Sequence, residues 1–87
     1  MKKLFHKSYN DLLVKAVKAD LDGRTRDADF LFGKASGMMV TAYEMFDSLG
    51  TDMVAKMSRS LILAHDIVVG EVEDKEESIY ILENNMA

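Results

Sequence analysis

Two histidines, an arginine near the second of them, and a scatter of carboxylates are the side chains whose type and spacing could carry chemistry here. His6 and His65 stand far apart, and neither has a second ligand one helical turn away, so no helical metal site is expected. Glu44 and Asp47 fall within one turn of each other, as an acid/base pair might be arranged. Nothing marks either as a general acid or base, and they read as a solvated helix face. Gly33 and Gly37 lack the preceding strand of a phosphate-cradling loop, and no serine sits in a glycine-rich elbow. The expectation is a non-enzymatic chain with no catalytic residue, no metal and no cofactor.

Arg59 and His65 loosely resemble the Arg/His pair of the helical ribonucleases called HEPN domains. Six residues on a helix turn through about 600°, which sets the two side chains on different faces. A histidine at a helix interface accounts for His65 without catalysis.

Composition bounds the rest. Eighty-seven residues make one small domain, and a chain of this size buries only about 60% of its unfolded surface. Hydrophobic residues make up 48% beside 30% charged ones, more apolar side chain than so small a core absorbs, so part of it is expected to meet a partner or a second copy. With no cysteine, packing alone must hold the fold. No apolar run approaches membrane-spanning length, and the basic leader lacks a cleavage site, so the chain is expected to be cytoplasmic. Net charge is +4 over residues 1–26, −3 over 27–70 and −5 over 71–87. The basic N-terminal set is the sole footprint for phosphates, and an overall charge of −4 works against it, so nucleic acid is not the expected partner.

These residues need elements to position them. Proline is absent, and Gly23, Gly50 and Gly70 punctuate three periodic stretches, which predicts an all-α fold. A first helix is expected over residues 9–21, capped by Ser8 with Asp11 and carrying Tyr9, Leu12, Leu13, Ala16 and Val17. The longest stretch, 25–50, predicts a central helix capped by Thr25 and closed by Gly50 at C′. Its stripe runs Ala28, Leu31, Phe32, Ala35, Met38, Met39, Ala42, Met45, Phe46 and Leu49. Gly33 and Gly37 share a row with Phe30 and Val40 and predict a tight crossing with another helix of the chain. A third helix, capped by Thr51 and ended by Gly70, presents Val54, Met57, Leu61, Ala64 and Val68 to the core and turns Leu63, flanked by Ile62 and Val69, to solvent or a partner. Beyond Gly70 an acidic run precedes Ser78–Leu82. Asp74 with Glu77 is a capping box for a short fourth helix with Ile79, Leu82 and Met86 on one face, and a strand added to a partner's sheet is the competing form. The architecture expected is an antiparallel three-helix bundle over residues 1–70, with or without the short fourth helix, and an acidic C-terminal tail over 71–87.

The series Ala16-Val17-x-x-Asp20-x-x-Gly23 followed by Ala28-x-x-x-Phe32-x-x-Ala35 resembles the first two helices of MIT domains (microtubule interacting and trafficking), over residues 9–46. The third helix departs from that pattern, with Leu63-Ala64-His65 where the family has a basic-Ala-acidic ending. The resemblance implies a three-helix bundle that takes a short peptide between helices two and three. Val40, Ile62 and Leu63 would touch it, and Glu44 and Asp66 would select a basic ligand.

The functional expectation is therefore a small acidic protein–protein interaction module, adaptor-like, binding a helical or extended peptide or pairing as a dimer. Its partner-binding residues are Val40, Glu44, Ile62, Leu63, Asp66 and Tyr80. The alternative is a phage- or plasmid-encoded inhibitor that blocks a host nucleic-acid enzyme through the acidic C-terminal surface.

Overall fold

A computed structural model describes residues 2–84, apart from the side chains of Lys2, Phe46 and Ser48; Met86, expected on the fourth-helix face, lies outside the described residues. The chain is all-α: α1 (Lys2–Leu21), α2 (Thr25–Glu44), the single turn α3 (Phe46–Leu49), α4 (Thr51–Val69) and α5 (Lys75–Glu83). Four of these helices have nine residues or more, where three with an optional fourth were expected.

The first helix begins well before residue 9, and Ser8 does not cap it. Asp11 pairs instead with Lys7 at 3.5 Å, one turn back along the helix. The early start has a packing cause, since the buried stripe His6, Tyr9, Asn10, Leu13, Ala16 and Val17 keeps helical spacing from its first member. The helix ends in a Schellman motif: Arg24 N–H donates to the Ala19 carbonyl at 2.8 Å and Gly23 N–H to Asp20 at 3.0 Å. Gly23 supplies the φ of +80° that this closure requires. The short link lays α2 alongside α1. Thr25 is the first residue of α2 rather than its cap; Arg24 holds that position without a side-chain cap bond.

The expected central helix to residue 50 is broken at Met45. In the turn before the break, Thr41 Oγ1 donates back to the Gly37 carbonyl at 3.2 Å, a bond that bends helices. Gly50 does not close α2: with φ +89° and ψ +154° it is the N-cap of α4. Gly70 does terminate α4, in the left-handed conformation, with Glu71 N–H reaching the Asp66 carbonyl at 2.9 Å.

The core draws Tyr9, Leu13 and Val17 from α1, Ala35, Met39 and Ala42 from α2, Leu49, Val54, Met57, Ala64 and Ile67 from the α3–α4 stretch, and Leu82 from α5. On α4 the buried line runs through Ser60 and Ile67, and the expected Leu61 and Val68 are half-buried at its border. The C-terminal α5 returns to pack against both α1 and α4. Asp74 caps α5, accepting from Glu77 N–H at 3.1 Å. Of the forms open for residues 75–84, a helix, a strand or a disordered tail, the helix is the one found, over Lys75–Glu83.

Candidate interaction surface

On α2, Ala28, Ala35 and Ala42 recur every seven residues and are the side chains turned inward with Met39. Their small size lets α1 and α2 approach closely. The bulk lies outside: Phe30 is 64% exposed, Val40 59% and Tyr43 61%. Lys34 holds its ammonium 5.1 Å from the Phe30 ring centre and leaves the rest of the ring open.

The expected tight crossing at Gly33 and Gly37 is absent. A Cβ built on either would meet nothing within 4 Å, because the alanines, not the glycines, supply the close approach to α1. Each interior glycine costs about 1 kcal/mol of helix stability relative to alanine. No contact among the described residues offsets that cost.

One flank of α2 is fastened to α4. Phe32 and His65 stack with ring centroids 5.0 Å apart and planes inclined by 20°, and the Tyr43 and Ser58 hydroxyls lie 3.3 Å apart. His65 is thus an interhelical aromatic contact, and Arg59 is exposed elsewhere on α4. Val40 sits three residues before Tyr43, and Ile62 lies between Ser58 and His65 in helical spacing, so both border this seam. Ile62 is 60% exposed, and Glu44, also exposed, stands at the end of α2.

The remaining expected contact residues do not join them. Leu63, expected to project outward, is half-buried and packs against the core cluster. Asp66 is half-buried near the end of α4, and Tyr80 is exposed on α5, which packs on α1 and α4 rather than on the α2 seam. Tyr43 was missed as a surface candidate, and Arg26 was counted only with the basic N-terminal set, not with this face. The signal for Arg26 was available, four residues before Phe30 on the same row.

A buried polar line runs along the other side of α1. Tyr9 donates its hydroxyl to the Met57 carbonyl at 2.8 Å; burial, and then the neighbouring Tyr43, push its phenol above the ordinary range. Asn10 Nδ2 donates to the Leu82 carbonyl at 2.7 Å, and its Oδ1 has no partner among the described residues. His6 is buried with Nε2 likewise unpartnered, and desolvation, then the Lys56 charge, lower its pKa. Among the described residues no three His, Asp or Glu side chains are grouped to hold a metal ion, and no helix is long and apolar enough to cross a membrane. No family model, no curated protein and no solved structure matches this chain.

Proposed function

We propose that this chain is a protein–protein interaction module that works through the outward face of α2 and its border with α4. The observation that carries this is the inversion of α2, small residues inside and Phe30 and Val40 outside, next to an equally exposed Ile62. Large apolar side chains held in water on a packed helix favour a surface made to be covered. The MIT-like series over residues 9–46 supports the same use, with Val40 and Ile62 along the border of α2 and α4 and Glu44 at the end of α2. The module would act without catalysis, by bringing its partner to that face.

A photo-crosslinking side chain placed at position 40 or 62 in the full chain, in producing cells, tests this. Protein adducts are expected at both positions and not at exposed position 73. Adducts at 40 and 62 no stronger than at 73 would overturn the reading.

A further inference from the structure

The outward face of α2 matches itself. We propose that it packs against the same face of a second copy, antiparallel, about a two-fold axis at position 35. This rests on the interaction-module reading and names its partner.

The face consists of Arg26, Phe30, Gly33, Gly37, Val40 and Glu44, all exposed. At about 100° per residue they span an arc of about 80°, centred opposite the buried Ala35. In a two-fold interface, if residue i meets j of the second copy, j must meet i. An axis at position 35 satisfies that condition with matched chemistry throughout: Gly33 faces Gly37, Phe30 faces Val40, and Arg26 faces Glu44. Apolar meets apolar, cation meets anion, and the four glycines of the pair gather at the crossing. There the clearance that no described residue fills lets the two backbones draw together.

The charges distinguish an antiparallel copy from other occupants. Arg26 lies in the first turn of α2 and Glu44 is its last residue, each at the end of the helix dipole that disfavours its sign. Neither has an ion-pair partner among the described residues. An antiparallel copy brings Glu44 to the N-terminal end beside Arg26 and Arg26 to the C-terminal end beside Glu44, twice per dimer. A parallel copy would set like charges together.

Sedimentation over a wide concentration range tests the pairing, using wild type, Gly37→Leu, Arg26→Glu, Glu44→Arg and the double reversal, with far-UV circular dichroism confirming that each is folded. Wild type is expected to form a concentration-dependent dimer. Gly37→Leu, which meets no atom of the described residues within 4 Å of its Cβ, blocks the crossing and should weaken the dimer at least tenfold, roughly the loss of a central interface contact. Each single reversal should weaken it by about tenfold, and the double reversal should restore it to within about threefold of wild type. A wild type that stays monomeric, a dimer indifferent to all these changes, or a double reversal no tighter than the singles overturns the proposal. A monomer whose position-40 crosslinker still captures another protein overturns the self-pairing alone; a monomer without adducts removes the module reading as well.

Discussion

Asn10 on α1 holds the backbone carbonyl of Leu82 on α5 at 2.7 Å, joining two fully buried residues 72 positions apart in the chain. The bond and the Leu82 side chain together fix the C-terminal helix to the body of the bundle. The Lys18–Glu83 pair at 3.6 Å is exposed at the edge of the same contact and adds little.

Leu82→Ala should therefore destabilise the protein by about 2–5 kcal/mol, the range for removing a buried leucine side chain. Urea unfolding followed by circular dichroism measures it. A loss below about 0.5 kcal/mol, the scale of an ordinary surface change, would mean that α5 is not docked as described.

Tyr9→Phe removes one buried hydrogen bond and keeps the ring in place. The expected loss is about 1 kcal/mol, much smaller than for Tyr9→Ala, where about 3–5 kcal/mol follows from the cavity left by a large aromatic side chain. Denaturation of the two variants side by side checks the ratio.

Gly33→Ala and Gly37→Ala should each raise stability by about 0.5–1 kcal/mol in dilute solution, because both lie mid-helix with open space at Cβ. Thermal unfolding at low protein concentration is the measurement. Destabilisation by either would point to a close neighbour at the glycine row within one chain.

Acid should weaken the fold through His6. Its pKa is lowered in the folded chain by burial and by Lys56, so the unfolded chain takes up a proton that the folded chain resists. The stability from this group is complete above the unfolded value of about 6.5 and is lost as pH falls below it toward the folded value. Urea midpoints at pH 7, 6 and 5 should fall for the wild type and fall less for His6→Met. Equal slopes would remove His6 as the cause.

Much of the fold could be read where local rules act alone. Gly23 and Gly70 end their helices, Asp74 caps α5, and the alanine line on α2 faces inward, each set by backbone conformation or by spacing within one segment. The misreadings came where a neighbour decides. Ser8 with Asp11 has the same pattern inside a helix as at its start, and only the burial of His6 shows that α1 is already under way. Leu63 and Ile62 are adjacent apolar residues; which one is covered depends on how the other helices pack around α4, and spacing within α4 does not contain that. Val40, Ile62 and Glu44 could be placed on the surface from sequence, whereas the emptiness around Gly33 and Gly37 required the positions of the other helices.

The inversion of α2 gives one helix two separate mutational signatures. Enlarging Ala28, Ala35 or Ala42 forces α1 away and should be read as lost folding, while Phe30 and Val40, though far larger, can be trimmed with the bundle intact. A library of substitutions across residues 25–44, sorted once for soluble expression and once for association, would divide into two sets of positions on opposite sides of the same cylinder. The inconspicuous residues would carry the first phenotype and the conspicuous ones the second.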